Sequence, residues 1–321
     1  MPAAVDVGEL VERARRGQPR AIARLLSLVE DGHPQLREIA AALTPHTGHA
    51  RVIGLTGPPG VGKSTSTSML VSALRRAGRR VGVLAVDPSS PFSGGALLGD
   101  RIRMTEHAVD AGVFIRSMAT RGHLGGLSVA TPQALRVLDG AGFDDVLIET
   151  VGVGQSEIDI VRLADTTVLL LAPGMGDGVQ AAKAGVLEVA DVFVVNKADR
   201  DGADATVREL RQAVAFGHRE AGGPPWRQPI VRTVASRGEG AGDVLRALDE
   251  HAEWLADSGE SRRRRAARAV GEIEAIALHR LRGELAGVGG GRLTELAERV
   301  VDRAVDPFTA ADELLTNLHT T

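Results

Sequence analysis

Apolar residues are distributed along this chain in distinct regimes. Between residues 8 and 43, Leu10, Val11, Ala14, Ile22, Leu25, Leu26 and Val29 recur at helical spacing, with breaks at Gly17 to Pro19 and Gly32 to Pro34. A helical N-terminal extension over residues 1–48 is expected. From residue 52 the pattern changes to short β-rich runs at 52–56, 81–86, 113–117, 145–149, 167–172, 192–196 and 229–234, separated by segments of helical length. Several runs are apolar at consecutive positions, as strands buried on both faces require. The alternation predicts an α/β fold with a doubly wound, mainly parallel sheet over residues 49–258. After residue 240 strand signals stop. Val270, Ile273, Ala277, Leu278, Leu281 and Leu285 follow helical spacing, Gly289 to Gly291 predict a turn, and Leu293, Leu296, Ala297, Val300 and Ala304 resume the period. A last helix is expected after Pro307. The arm over residues 259–321 must bury its apolar stripe against its own core or a second subunit, and a homodimer is the expected arrangement.

Composition narrows the function classes. Lys and Arg total 38 against 41 Asp and Glu, a formal net charge of -3, so no broad cationic surface is available for nucleic acid or anionic lipid. The run Arg262 to Arg265 is read as a solvated helix face. There is no cysteine, which excludes disulfides, thiolate metal sites and cysteine nucleophiles. The nine histidines form no i, i+4 pair or dense cluster, and no transition-metal site is expected. The polar start lacks an apolar signal region and no apolar run reaches spanning length, so a soluble cytoplasmic protein is expected.

The chemistry begins directly after the first predicted strand. Gly57-Pro58-Pro59-Gly60-Val61-Gly62-Lys63-Ser64-Thr65 fits G-x-x-x-x-G-K-[ST] and leads into an amphipathic helix. Glycines let the backbone curl so that successive N–H groups face phosphate oxygens, and the helix N-terminus adds partial positive charge. Lys63 supplies a full charge at the β and γ phosphates, and the Ser64 hydroxyl is a Mg²⁺ ligand in this reading. A second signal, Asn196-Lys197-Ala198-Asp199, follows a late strand. The Asp199 carboxylate can accept from guanine N1–H and the exocyclic amine, whereas adenine would face it with an acceptor. Asn196 would hold the purine edge and neighbouring loops, the Lys197 stem would cover the base, and the Ala235 N–H is a candidate donor to the guanine O6. Together these predict GTP and GDP as ligands.

Three acids lie between the two signals: Asp87 at the end of the second strand, Asp100 soon after, and Glu149 at the end of the fourth. Acids at strand ends near such a loop are placed to hold Mg²⁺ directly or through water. Glu149-Thr150-Val151-Gly152 is similar to the D-x-x-G switch with Glu for Asp, so that Gly152 would present its N–H to the γ-phosphate. Gln155 is spaced differently from the familiar DxxGQ arrangement, and the residue that positions water stays open.

The stretches GLTGPPGVGKST at 54–65, 86–104 with Asp87 and Asp100, IETVGVGQSE at 148–157, GMGDGVQAAKAG at 174–185, VNKAD at 195–199 and DPFTAADELL at 306–315 resemble the MeaB/ArgK family of G-proteins. That resemblance covers nearly the whole chain. It implies a homodimeric GTPase that gates adenosylcobalamin loading and protects a B12-dependent acyl-CoA mutase, usually methylmalonyl-CoA mutase. It also implies a third switch that senses nucleotide and contacts the mutase, with Asp177, Gln180 and Lys183 as its residues. Pro58 stands where related dimerising ATPases carry an early lysine, so hydrolysis is expected to be slow until a partner orders the switches. A P-loop kinase with a small-molecule or protein acceptor, a non-catalytic nucleotide-binding module, and the same GTPase serving isobutyryl-CoA or ethylmalonyl-CoA mutase are the alternative readings.

Overall fold

The computed structural model describes residues 5–87, 104, 106–119, 130–150, 162–174, 190–217 and 226–318. Its centre is one parallel seven-stranded sheet of β1 (Arg51–Thr56), β2 (Val81–Asp87), β3 (Val113–Ala119), β4 (Asp145–Thr150), β5 (Thr166–Leu171), β6 (Val192–Val195) and β7 (Ile230–Arg232), in the order β3-β2-β4-β1-β5-β6-β7. The described helices are α1 (Val7–Arg15), α2 (Pro19–Glu30), α3 (Leu36–Leu43), α4 (Lys63–Arg76), α5 (Ala130–Gly140), α6 (Ala203–Gly217), α7 (Ala241–Asp257), α8 (Glu260–Val301) and α9 (Pro307–Leu318). This is the α/β, doubly wound architecture expected from the alternating pattern.

Continuous apolar runs arise because both faces of the sheet are covered. In β4, Val146 and Ile148 join a cluster with α1, α2, α3 and α5, while Leu147 between them joins the opposite cluster with α4 and α7. In β6, Val192 and Val194 face α4 and α7, whereas Phe193 and Val195 face α6. Period-two alternation is thus present, but both sides are apolar. The helical extension shares this core within a compact unit, Met1–Ala267. Asp6 caps α1 by accepting from the Glu9 N–H at 2.9 Å. The link into β1 is clamped by Asp139, whose carboxylate accepts from the N–H groups of Gly48, His49 and Ala50.

The entry edge of the sheet holds a polar network. Asp191, just before β6, accepts two hydrogen bonds at 2.9 Å from Arg264 at the start of α8 and another from the Thr167 N–H, while Arg264 also reaches the Asp165 carbonyl at 2.8 Å. His251 is fully buried beside Trp226 and Trp254 and bonds Thr166 Oγ1 at 2.8 Å. The Arg262 to Arg265 run is therefore not a uniformly solvated face: Arg264 is an anchor, and Arg265 bonds the Gly48 carbonyl. Burial alone would raise the Asp191 carboxyl, but His251, whose Nε2 lies 3.3 Å away, and the two hydrogen bonds and charge of Arg264 hold it below the ordinary range. Its stabilisation is complete above the ordinary carboxylate range and is lost as pH falls through the depressed value. Arg264→Ala is expected to destabilise the fold by about 2 kcal/mol at neutral pH, after discounting for the partial exposure of the arginine. In thermal melts the gap from the wild type should close as pH falls below about 4.

The second unit, Arg268–Thr321, contains the rest of α8 and α9. The turn expected at Gly289 to Gly291 is absent, since α8 is helical without interruption for 42 residues. Each helical glycine costs about 1 kcal/mol relative to alanine, which weakens a helix without forbidding it. The break comes instead before Pro307, where Arg303 adopts a φ of 61° and Asp306 caps α9 through the Phe308 and Thr309 N–H groups. Glu313 of α9 binds Arg299 of α8. Val270, Ile273, Leu278, Leu281, Leu293 and Phe308 are exposed in the single chain.

Candidate functional site

The C-terminal ends of β1, β4, β6 and β7 lie along one edge of the sheet, the edge at which open α/β sheets bind ligands. The loop Gly57–Gly62 leaves β1 there and turns into α4 at Lys63. Two of its glycines are required for different reasons. Gly57 has a φ of 144°, and a Cβ would lie 2.3 Å from the Leu170 carbonyl oxygen of β5. Gly62 caps α4 at a φ of 94°, and a Cβ would lie 2.6 Å from Asn196 Nδ2. Val61 is buried and ties the loop to the core, while Pro59 and Gly60 are exposed and Pro58 is half-buried.

Lys63 is buried, and its ammonium donates to the carbonyls of Gly57 at 2.6 Å and Pro58 at 3.1 Å. The loop is therefore wrapped around a positive charge. Ser64, also buried, donates its hydroxyl to Glu149 Oε1 at 2.5 Å. Strand register makes this pairing possible: β4 lies between β1 and β2, with Glu149 level with Leu55 and Ala85. Thr67, one turn beyond Ser64, donates to Glu149 Oε2 at 2.7 Å and also lies 3.0 Å from the Lys63 carbonyl. Thr65 is exposed. The Ser64 hydroxyl and the Glu149 carboxylate are hard oxygen donors of the kind Mg²⁺ takes, and among the described residues no group of three or more His, Cys, Asp or Glu is placed to hold a metal ion. Asp87 closes β2 with its backbone level with Ala119, and its side chain lies outside the described part. Asp100, Gly152, Asp177, Gln180 and Lys183 also lie outside the described residues.

The base-reading half is bolted to the phosphate-binding half by Asn196. Its Nδ2 donates to the Val61 carbonyl at 2.8 Å, and its Oδ1 accepts from Thr233 Oγ1 at 3.2 Å and the Ala235 N–H at 3.0 Å. Asn196 thus holds the two loops together. The Ala235 N–H is engaged here with Asn196, and offering it to a base oxygen would require that bond to be shared or released. Lys197 has a φ of 57° and donates Nζ to the Gly60 carbonyl at 2.6 Å. Asp199 is partly exposed and ion-paired with Arg237 at 3.3 Å. Thr67 and Arg237 carry no motif signal of their own: the first is readable only as the i+3 neighbour of Ser64 on α4, the second only once β6 and β7 are paired.

A family model described as "Methylmalonyl Co-A mutase-associated GTPase MeaB" matches residues 22–287. The chain belongs to the MeaB family. A protein of Pyrococcus abyssi named as a GTPase is 49% identical over 313 residues, covering 96% of each chain. The mouse protein named methylmalonic aciduria type A homolog, mitochondrial, is 38% identical over 262 residues, covering 76% of this chain and 63% of that protein. A solved structure described as a LAO/AO transport system kinase is similar with a TM-score of 0.71 and 25% identity, covering 99% of this chain and 100% of that one. Like the rest of the MeaB family, the chain is a GTPase with a P-loop nucleotide-binding fold. Among the described residues, no helix is long and apolar enough to cross a membrane.

Proposed function

We propose that this GTPase is Mg²⁺-dependent and acts in the cytoplasm as a homodimeric chaperone, gating adenosylcobalamin loading and protecting a B12-dependent acyl-CoA mutase. Methylmalonyl-CoA mutase is the proposed client. The observation that carries the metal half is the buried Ser64–Glu149 bond, which brings a hydroxyl oxygen and a carboxylate, both hard donors, together at the start of α4. Bound there, Mg²⁺ would offset phosphate charge. Lys63 and the loop N–H groups orient the phosphates, and Asp199 selects the purine. Asn196 keeps the two halves at a fixed separation. The family's name, and that of the mouse relative, support the mutase half. The exposed apolar residues of α8 and α9 support the homodimer, since such a stripe gains by burial against a second copy.

Calorimetry of the purified chain with GDP, with and without Mg²⁺, tests the first half: affinity should rise on adding the metal. Co-purification with methylmalonyl-, isobutyryl- and ethylmalonyl-CoA mutases, with GDP and a GTP analogue compared, tests the second. A nucleotide-dependent complex with the first mutase is expected. Binding to none of the three in either nucleotide state sinks the chaperone reading while leaving the GTPase intact.

A further inference from the structure

We propose that a cavity at the entry edge of the sheet, away from the P-loop, binds an organic ammonium ion.

The cavity has a volume of about 490 Å³, which lies within the roughly 300–1,000 Å³ of small-molecule sites. Arg51 and Asp145, the paired first residues of β1 and β4, form part of its wall, so it sits at the end of the sheet remote from Glu149 and the phosphate loop. Arg79 reaches it from the link between α4 and β2, and Asp249 and Glu253 from successive turns of α7.

The charged lining is acidic: four carboxylates, Asp144, Asp145, Asp249 and Glu253, face two guanidiniums, Arg51 and Arg79. Two of the acids are already engaged. Asp144 accepts from the Arg80 N–H at 2.6 Å, and Asp249 Oδ1 meets Arg51 Nη1 at 2.8 Å and Arg79 Nη1 at 2.9 Å. The other two have capacity left. Asp145 is 1% exposed and gives Oδ1 to Arg51 Nε at 2.6 Å, but its Oδ2 has no hydrogen-bond partner. Arg79 Nη1 stands 3.7 Å from that oxygen, beyond hydrogen-bond reach, because it is held closer to Asp249. Glu253 is exposed and takes part in no salt bridge among the described residues. Burial raises the Asp145 carboxyl above its ordinary value even with Arg51 and Arg79 beside it, so the two arginines leave its charge under-compensated. Arg51 Nη2 is also unpartnered, but one spare donor does not reverse the excess of acceptors.

A buried carboxylate oxygen without a donor costs free energy, which a ligand that brings the donor recovers. An ammonium group carries one full charge, three donors and no acceptor, which is what the lining lacks. A metal ion fits less well, since among the described residues no group of three or more His, Cys, Asp or Glu is placed to hold one. The same ammonium chemistry comes from two sources, a free polyamine and the lysine side chain of a partner protein.

Calorimetry of the full chain, free of nucleotide and Mg²⁺, with spermidine, with Nα-acetyl-lysine methylamide and with citrate tests the proposal. At least one ammonium probe should saturate with one site per chain, while citrate should not bind there. Tighter binding of spermidine would mark the free amine as the ligand, and tighter binding of the lysine amide a partner's side chain; either result supports the site. Glu253→Lys reverses the exposed charge and should weaken the bound probe about tenfold. Ala252→Leu pushes a larger side chain into the lining and should weaken it at least as much. GDP affinity should stay at the wild-type value in both variants, which shows that they are folded. Should the leucine variant fail to fold, Glu253→Lys carries the test alone. Saturation by neither ammonium probe below about 10 mM, where binding free energy becomes negligible, overturns the proposal. So does preference for citrate, or wild-type affinity for the probe in a folded Glu253→Lys chain.

Discussion

Replacing Lys63 by alanine is expected to lower GTP turnover and nucleotide affinity together, by roughly 10²–10³-fold in turnover. The side chain is buried inside the loop, and its ammonium bonds the Gly57 and Pro58 carbonyls at the turn where the phosphates are expected. No other described lysine takes this place. Lys197 is tied to the Gly60 carbonyl on the outer side of the loop, and its side chain starts from the base-reading segment. The loop should keep its shape in the variant, because Gly57, Gly62 and the Asn196–Val61 bond set its path independently of the lysine. A near-wild-type melting temperature combined with lost GDP binding in calorimetry is therefore the expected pair of results. Wild-type affinity for GDP in a folded Lys63→Ala chain would remove the phosphate cradle from the account.

Local signals explain why so much of this site could be read from the chain. The loop glycines are demanded by backbone conformation and close approach, and such needs leave a fixed spacing in sequence. The sheet was legible because each strand is a short apolar run with turn residues at its ends. What escaped depended on partners distant in sequence. Ser64 and Thr67 are adjacent on α4, but Glu149 lies more than 80 residues away, and nothing in the helix says that its carboxylate spans both hydroxyls. Arg264 looked like one of four equivalent arginines until β6 brought Asp191 beneath it. The Gly289 to Gly291 error has another cause. A glycine cluster lowers helix stability without supplying a stop, and α8 runs on to Val301, beyond which Arg303 turns the chain and Pro307 opens α9.

Asp199→Asn is expected to change which base is bound without removing nucleotide binding. Its loop is tightly held: the Ala198 N–H bonds the Thr233 carbonyl at 3.0 Å, Asn196 locks the residues around it, and Lys197 sits in the left-handed region with its amine on the P-loop. An asparagine at 199 would keep this backbone and nearly the same shape. In the proposed pose the carboxylate would accept from both guanine donors, whereas the amide would place a donor against one of them. Losing one hydrogen bond, facing a donor with a donor and making the other bond's acceptor neutral would lower GDP affinity on the order of 10²–10⁴-fold. Xanthine carries a carbonyl where guanine has its amine, so the same amide should raise affinity for xanthosine diphosphate. The Arg237 ion pair at 3.3 Å should be lost too, but it is exposed and contributes at most about 1 kcal/mol, too little to hide the reversal. Competition calorimetry with GDP, xanthosine diphosphate and ADP separates the outcomes. Reversal toward xanthine places Asp199 at the base edge, uniform loss for all three points to a damaged loop, and unchanged GDP affinity moves base reading to another residue. The contrast with Lys63→Ala is physical: one variant removes a charge that every triphosphate needs, the other exchanges an acceptor for a donor at the only end of the ligand where nucleotides differ.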